Sequence, residues 1–318
     1  MKTYHFRLPN KMSLFLLLIM VVSLSMSGCA TSNKIGVSKP KKPFFSANNK
    51  MDSTPEPALN QTLPDMTSRD LEELGDRQFG SKDYYLAFLQ YGKALKLDPD
   101  NVRLYCKQGL VLLQTAKYED AVKSFQEAVK KQPRYAAAHE GMGTAFFRMG
   151  QYQLAILSFD KTLELNPGSW EARNYLGNIY DIQKQYDKAS REYAEAILLK
   201  PQDGLLYNNL GVSLSLAGRY EESISTFKRA LRTNGPKDKI YNNLGLVLAR
   251  TGRYDGALEA FRQGSNTARA YNNLGCVLMA QGEYQKAAQS FNQAIASSPK
   301  FYEKAYENLK KVEMRKFY

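Results

Sequence analysis

The sequence predicts an all-α fold, a solenoid of about seven helix-turn-helix repeats with a C-terminal capping helix. Tyrosine recurs at intervals of 34 residues five times and then at an interval of 30. Glycine follows the same period nine residues before each tyrosine, a small residue lies three positions after it, and an aromatic residue lies four further on. Self-similarity at such a period is typical of a repeat array.

Four phased columns therefore run through the chain. The tyrosines are Tyr84, Tyr118, Tyr152, Tyr186, Tyr220, Tyr254 and Tyr284. The glycines are Gly75, Gly109, Gly143, Gly177, Gly211, Gly245 and Gly275. The small residues are Ala87, Ala121, Ala155, Ala189, Ser223, Ala257 and Ala287, and the aromatic residues are Tyr91, Phe125, Phe159, Tyr193, Phe227, Phe261 and Phe291.

Each repeat is expected to contain a helix A, a tight turn and a helix B. Apolar residues fall at helical spacing on two short segments, which breakers such as Gly150 and Gly218 separate. A glycine inside helix A costs about 1 kcal/mol relative to alanine, so we expect helix B to approach closely there. The small column should face that glycine, and the aromatic column should fill the space towards the next repeat. Pro99 and its counterparts end helix B because proline cannot continue a helix.

These columns resemble the tetratricopeptide repeat (TPR): Leu-Gly in helix A, followed by Tyr, Ala, an aromatic residue and Pro. The resemblance covers residues 68–301, which we divide into seven repeats, and it implies a protein-binding scaffold. Residues 302–318 have no partner helix B. Their apolar stripe, with charged residues around it, predicts the polar-faced capping helix that a solenoid end needs.

Repeat six is shorter than the others and ends Gln263-Gly264-Ser265-Asn266 without a proline. We expect helix B to be trimmed there or the turn to be tightened, which would set repeat seven at an altered angle. The alternative is harmless drift in a surface turn.

The first residues predict an export signal. Lys2, Arg7 and Lys11 precede nine apolar residues, a run too short to cross about 30 Å of hydrocarbon. The sequence Met26-Ser27-Gly28-Cys29 resembles the lipobox of bacterial lipoproteins, which implies that residues 1–28 are removed and that Cys29 carries acyl chains such as palmitate. Ala30 after the cysteine implies the outer membrane, with the protein facing the periplasm. The alternative is a plain signal peptide with an incidental cysteine.

Residues 29–67 are rich in Ser, Pro, Asn and Thr and show no sustained periodicity, which predicts a flexible tether. The basic cluster Lys39-Pro40-Lys41-Lys42 could touch anionic headgroups or the cell wall, or it could be a solvated linker.

A column of asparagines predicts a peptide-binding groove. In TPR proteins the positions three residues before the column glycine and one residue after it commonly face the concave surface. The resemblance places there Asn174, Asn178, Asn208, Asn242 and Asn272. Amide side chains both donate and accept, so they could bind an extended backbone without reading its sequence. The alternative is that these asparagines are solvated or bond to the neighbouring repeat. The adjacent column, Asn209, Asn243 and Asn273, is expected to bridge repeats.

Composition argues against catalysis. Two histidines, of which His5 lies in the signal, and three cysteines leave no Ser-His-Asp site, His-rich metal site or Cys₄ zinc site. We therefore predict no enzyme, no cofactor, no metal and no small-molecule substrate. His139 stands where sister repeats carry tyrosine, so we assign it, with Trp170, to packing, and we expect Cys106 and Cys276 to be small buried residues. A net charge of +13 spread over the chain, with an export signal, argues against nucleic acid.

The lipoprotein signal, the TPR array, three Tyr-Asn-Asn-Leu-Gly motifs, the short sixth repeat and the ending around Tyr302-Glu303-Lys304-Ala305-Tyr306 together resemble the TadD family of the tight-adherence (Flp pilus) assembly system. The resemblance implies that the protein partners are secretion or pilus-assembly components. Two alternatives stay open: a pilotin-type TPR lipoprotein for a type IV pilus secretin, and an envelope adaptor that recruits peptidoglycan enzymes.

Overall fold

The computed structural model describes residues 66–298 and 302–315. The signal sequence, Cys29, nearly all of the tether, Pro299 and the last three residues of the predicted capping helix lie outside this range. The described residues fold into helices apart from one isolated bridge, which confirms the all-α prediction. They divide into two compact units, the N-terminal unit up to Pro201 and the C-terminal unit from Gln202.

The N-terminal unit contains four helical hairpins. Its helices are α1 (Ser68–Gly80), α2 (Tyr84–Leu97), α3 (Val102–Gln114), α4 (Tyr118–Lys131), α5 (Ala136–Arg148), α6 (Tyr152–Leu165), α7 (Trp170–Ile182) and α8 (Tyr186–Leu199).

The C-terminal unit contains three hairpins and a final helix. Its helices are α9 (Gly204–Leu216), α10 (Tyr220–Ala230), α11 (Lys237–Arg250), α12 (Tyr254–Gly264), α13 (Thr267–Ala280), α14 (Tyr284–Ala296) and α15 (Glu303–Arg315). Every B helix of both units begins at its column tyrosine, and within each unit successive hairpins pack in chain order. Each unit is thus a solenoid of TPR-type hairpins, as predicted.

The column glycines are explained by an aromatic ring of the same repeat. A Cβ on Gly109 would lie 2.6 Å from the Phe125 ring, and one on Gly211 would lie 2.7 Å from the Phe227 ring. The expected close approach is therefore confirmed, but it is the aromatic column that fills the space against the glycine. In repeat five the small residue lies beside the glycine backbone, since the Ser223 hydroxyl donates to the Gly211 carbonyl at 2.6 Å.

The turn between helices A and B has one geometry in all seven repeats. One residue adopts a positive φ, and the next amide donates to the carbonyl five residues earlier, as in the Schellman motif that ends many helices. Glycine suits this conformation because it has no Cβ. The positive-φ residues are Lys82, Ala116, Gly150, Lys184, Gly218, Gly252 and Gly282.

Repeat six is both trimmed and tightened. Helix α12 has 11 residues, as α10 of repeat five also has. What repeat six alone shows is the short connection: only Ser265 and Asn266 join α12 to α13, which Asn266 caps by accepting from the Arg269 amide at 2.9 Å. Gly264 permits the sharp exit, because a Cβ there would lie 2.6 Å from the Asp238 carbonyl oxygen. The altered angle of repeat seven stays a prediction.

Helix α15 covers the last hairpin. Ala305, Leu309 and Val312 are buried. Tyr306, which the sequence places in the apolar stripe, is instead exposed beneath the Lys310 ammonium, 4.6 Å from the ring centroid. The buried stripe instead continues at Val312, one turn after Leu309.

Candidate functional site

Successive A helices of the C-terminal unit are joined by amide pairs. Asn243 donates to Asn208 Oδ1 at 2.8 Å, and Asn273 donates to Asn242 Oδ1 at 2.8 Å. Asn308 of α15 donates to Asn272 Oδ1 at 3.1 Å. In each pair, the first residue stands three positions before the column glycine of its A helix. The second stands at the position of the next A helix that corresponds to two residues before the column glycine. We call these six residues the amide ladder.

The ladder changes the role of the predicted groove residues. Asn208 and Asn272 are each 1% exposed, so their expected place on an open surface is wrong. Asn242 is half-buried, with its Oδ1 engaged by Asn273. The expected bridging role of the adjacent column is confirmed for Asn243 and Asn273.

Asn174 and Asn178 lie on α7 of the N-terminal unit, and both are half-buried. The Tyr193 hydroxyl donates to Asn178 Oδ1 at 2.8 Å, so this amide braces its own hairpin. Burial, reinforced by the Asp181 carboxylate, raises the pKa of Tyr193 well above its usual value and keeps the phenol a donor. Peptide binding by Asn174, Asn178 and Asn242 stays a prediction.

The first joint of the N-terminal unit uses charges at the same two helix positions. Lys107 of α3 lies 2.7 Å from Glu72 and 2.6 Å from Asp76 of α1. Arg103 reaches the second oxygen of Glu72 at 3.3 Å, and the Tyr91 hydroxyl donates to Asp76 at 2.8 Å. Burial alone would lower the pKa of Lys107, but the hydrogen bonds to Asp76 and Glu72 outweigh it and raise the pKa above its usual value.

The second joint is apolar. Cys106 and Gly141 occupy the two ladder positions, and a Cβ on Gly141 would overlap the Phe125 ring. This ring therefore also reaches the next repeat, as the sequence predicts. Burial raises the pKa of the Cys106 thiol to about 12, which leaves it protonated and unreactive at neutral pH and confirms its place as a small buried residue. Cys276 is buried as well, as predicted.

A groove of about 2140 Å³ lies within the N-terminal unit, between residues 81 and 175. Its lining comes from the start of α2, from the first half of α4 and from the three successive A helices α3, α5 and α7. Near α2 it exposes three large apolar side chains: Tyr85 is 51% exposed, Phe88 38% and Leu110 44%. Exposed apolar side chains that line a concave surface are typical of an interaction site.

The opposite part of the groove holds two carboxylates, Glu140 of α5 and Glu171 of α7, with Arg148 at the far end of α5. Glu140 accepts from the Ser169 hydroxyl at 2.6 Å. Burial raises the pKa of Glu140, the Ser169 hydrogen bond opposes the rise, and the nearby Glu171 carboxylate adds to it. A cation placed here would relieve both the burial and the repulsion between these carboxylates.

Tyr85 and Phe88 were not singled out from the sequence, although a signal was present. The other six repeats carry a polar residue, Glu, Gln or Asp, at the position after the column tyrosine, whereas repeat one carries Tyr85. An aromatic residue in an otherwise polar column indicates a surface with a local purpose.

His139 and Trp170 have the packing roles that the sequence predicts. His139 is buried, and its Nε2 lies 2.9 Å from the Pro133 carbonyl, where the sister Tyr105 hydroxyl donates to the Pro99 carbonyl at 3.1 Å. Trp170 begins α7, and the Lys200 ammonium lies 3.7 Å from its ring centroid.

Within residues 66–298 and 302–315, no group of three or more metal-ligating side chains converges. In the same part of the chain, no helix combines the length and apolarity that spanning a bilayer requires.

Comparison with protein families identifies tetratricopeptide repeats along nearly the whole described chain. The matched residues are 73–136, 106–157 and 140–205, then 202–266, and then 268–301.

Curated relatives match over short stretches. A TPR repeat-containing protein of Methanocaldococcus jannaschii is 42% identical over 60 residues, which are 19% of this chain and 18% of that protein. The human DnaJ homolog subfamily C member 7 is 35% identical over 71 residues, which are 21% of this chain and 14% of that protein. The chain thus spans less than a fifth of the length of either relative.

Solved structures share the fold over more of the chain. A tetratricopeptide repeat protein from Parabacteroides merdae superposes with a TM-score of 0.54 at 20% identity, covering 77% of this chain and 98% of that one. PilF of Pseudomonas aeruginosa superposes with a TM-score of 0.52 at 21% identity, covering 69% and 98%. At these identities the likeness concerns the fold.

Proposed function

The chain belongs to the tetratricopeptide repeat family, a scaffold fold for protein–protein interaction, and from that premise we propose that it is an outer-membrane-anchored periplasmic scaffold for assembly of the Flp (tight-adherence) pilus secretion apparatus. Its partners are secretion or pilus-assembly proteins. The observation that carries the binding role is the groove of the N-terminal unit, which presents apolar and acidic groups on consecutive A helices.

The groove suits a polypeptide better than a small molecule. It extends over α3, α5 and α7, so an extended segment can contact several repeats in succession. Tyr85 and Phe88 offer aromatic surface of the kind that dominates binding energy in protein interfaces. Glu140 and Glu171 add a preference for a basic residue in the bound segment.

The anchor and the pilus role rest on the sequence. The lipobox-like Met26-Ser27-Gly28-Cys29 supports acylation at Cys29, and Ala30 supports outer-membrane sorting. Several acyl chains on one residue, at about 0.8 kcal/mol per buried CH₂, would give a durable anchor. Growth with labelled palmitate tests it: the label should enter the wild-type protein and be absent from Cys29→Ser, and label in both would contradict the assignment.

The groove is tested in cells that carry the full chain. Tyr85→Ser with Phe88→Ser should reduce Flp pilin on the cell surface and retention of pilus-assembly proteins in pull-downs, while helicity and protein level stay unchanged. Leu154→Ser with Leu157→Ser is the matched control, because it removes two exposed leucines of α6, which do not line the groove. Equal pilin display and pull-down in all three strains would contradict the proposal.

Deletion of the gene separates the pilus role from the other two. The proposal expects loss of Flp pilin export with cell shape unchanged. Loss of secretin multimers with intact Flp pilin export would instead identify a pilotin, and shape or lysis defects with intact adherence would identify an adaptor for peptidoglycan enzymes.

A further inference from the structure

We propose that the groove of the N-terminal unit is occupied, when no partner is bound, by residues 37–50 of the same chain, with Phe44 and Phe45 at the apolar part and Lys39, Lys41 and Lys42 at the acidic part. The proposal concerns the regulation of the groove invoked above. It adds that a partner has to displace the chain's own segment.

The aromatic pair matches the apolar part of the groove. Between Ala30 and Asp65, Phe44 and Phe45 are the sole aromatic residues, and they stand side by side. Tyr85, Phe88 and Leu110 expose apolar surface towards the groove. Burial of two phenylalanine side chains removes a large apolar area from water, which favours these residues over the polar rest of the tether.

The lysines match the acidic part of the groove. Glu140 and Glu171 lie close enough for the charge of one to raise the pKa of the other. Four basic residues, Lys82, Lys117, Lys123 and Arg148, also line the groove, together with Asp83 and Asp120. The attraction for a basic segment is therefore local to the pair of Glu140 and Glu171, which fixes the direction in which the segment lies.

The order along the chain agrees with that direction. Going back from Met66, the chain passes Phe45 and Phe44 first and then Lys42, Lys41 and Lys39. Going forward from the end of α1, the groove presents Tyr85, Phe88 and Leu110 before Glu140 and Glu171. In both directions the apolar groups that would meet come before the charged groups that would pair.

The length of the connection also fits. From Phe45 to Met66 the chain advances 21 residues, and a coil of that length has a root-mean-square span of about 25 Å. Helix α1 has 13 residues and is about 20 Å long, and the groove lining begins at Ser81, directly after it. Because the linker's span matches the distance to be covered, the effective concentration of the segment at the groove is close to its maximum, on the order of 1 mM.

Pro40 and Pro43 reduce the ordering cost. They flank the two lysines and favour an extended polyproline II conformation, which loses less entropy on binding than a free coil. An extended segment is also the shape that a groove across several A helices accommodates.

Photo-cross-linking of the full lipidated chain in vesicles tests the contact. With benzoylphenylalanine at position 45, the expected adducts join this position to α2 or α3 of the same chain and are lost when Tyr85→Ser and Phe88→Ser are added. The same cross-linker at position 59 is the matched control and should give at least fivefold fewer such adducts. Adducts to lipid, to an isotope-labelled second copy, or to helices outside the groove would overturn the proposal.

Competition gives an independent measurement. A synthetic peptide of residues 37–50 should bind the full chain carrying Phe44→Ser and Phe45→Ser about tenfold more tightly than a chain carrying Leu59→Ser and Leu63→Ser, because in the control the resident segment still competes. Equal affinities, or no binding to either chain, would overturn it. Cross-linking as expected with normal pilin display in the groove variants would refute the proposed pilus role alone, whereas lost display without the cross-link would refute the occupant alone.

Discussion

The N-terminal and C-terminal units use the same two positions of helix A to join their repeats, but with different side chains. The first joint of the N-terminal unit is the ion pair of Glu72 and Lys107, and the second is the contact of Gly141 with the Phe125 ring. The C-terminal unit repeats one solution, an asparagine pair, at every described joint from Asn208 to Asn308. These two positions therefore accept an ion pair, an apolar contact or an amide pair, so the backbone geometry does not dictate the chemistry of the joint.

The turns between helices A and B are also less uniform in the N-terminal unit than in the C-terminal unit. Three of the four turns in the N-terminal unit place a side chain at a positive φ, at Lys82, Ala116 and Lys184, whereas all three in the C-terminal unit use glycine. The C-terminal unit thus follows the local preferences of the chain more closely. The groove lies in the less regular unit, as expected if binding surfaces are built at some cost to local regularity.

The largest expected effect comes from breaking the charged joint. Lys107→Met leaves Glu72, whose side chain is 8% exposed, with only Arg103 for compensation. Removing one partner of a buried ion pair lowers the free energy of unfolding by about 3–5 kcal/mol. We expect a decrease of about 3 kcal/mol here because Lys107 is itself partly exposed. Urea unfolding measures this free energy.

The matched control for that variant is Lys131→Met. It removes an ion pair of similar length, but the Asp100 side chain is 91% exposed, so no measurable change is expected. Equal loss of stability in the two variants would show that burial does not distinguish the joint from the surface.

Substitutions in the amide ladder should be energetically coupled within each asparagine pair and independent between pairs. Asn243→Ala leaves the buried Asn208 Oδ1 without this donor, which costs about 1–3 kcal/mol. In a chain that already carries Asn243→Ala, the further change Asn208→Ala should lower the free energy of unfolding much less than it does in the wild type. The coupling energy between the two residues should be about 1 kcal/mol. Asn208→Ala combined with Asn273→Ala should instead be additive, because these residues belong to different pairs. Additivity in both double variants would argue against the pairing as a source of stability.

The period of the sequence was enough to predict the hairpins, the turns and the close approach at the column glycines, because each arises within one repeat. The group that makes this approach was wrongly predicted, since the ring of the aromatic column and not the small column fills the space against each glycine. The pairing of asparagines was not predicted in full, because it joins one position of a repeat to a different position of the next. Asn208 therefore looked like a groove residue when its own column was read alone. Asn308 was missed although Tyr306-Glu307-Asn308-Leu309 keeps the register of the earlier Tyr-Asn-Asn-Leu motifs.

Exchanging the turn residues should make the two units more alike. Ala116→Gly relieves a side chain at a φ of 58°, and the relief of about 1–2 kcal/mol is partly offset by the entropy of glycine. We expect the free energy of unfolding to rise by about 0.5 kcal/mol. Gly218→Ala, at the equivalent turn of the C-terminal unit, should lower it by a similar amount. Thermal unfolding of both variants checks this, and a decrease in both would show that the turn residue in repeat two is favoured for another reason.

The smallest expected effect is on the pH dependence of stability, which should differ between a variant of the N-terminal unit and a variant of the C-terminal unit. Burial raises the pKa of Glu140 above the ordinary value of 4.5, so the folded state binds its proton more tightly than the unfolded state. The stabilisation that this provides is fully present below the unfolded pKa and is lost as the pH rises through the folded pKa. At pH 7 the ionised form is therefore unfavourable where no cation lies beside it, so in a chain that carries Lys39→Ala, Lys41→Ala and Lys42→Ala the further change Glu140→Gln should be slightly stabilising. The difference should disappear below about pH 4.

The control is Asn242→Gln, which lies on the uncharged amide ladder. It should differ from wild type by the same free energy of unfolding at pH 4 and at pH 7. A constant effect of Glu140→Gln from pH 4 to 7 would mean that the shape of the side chain, and not its charge, decides the stability of this part of the groove.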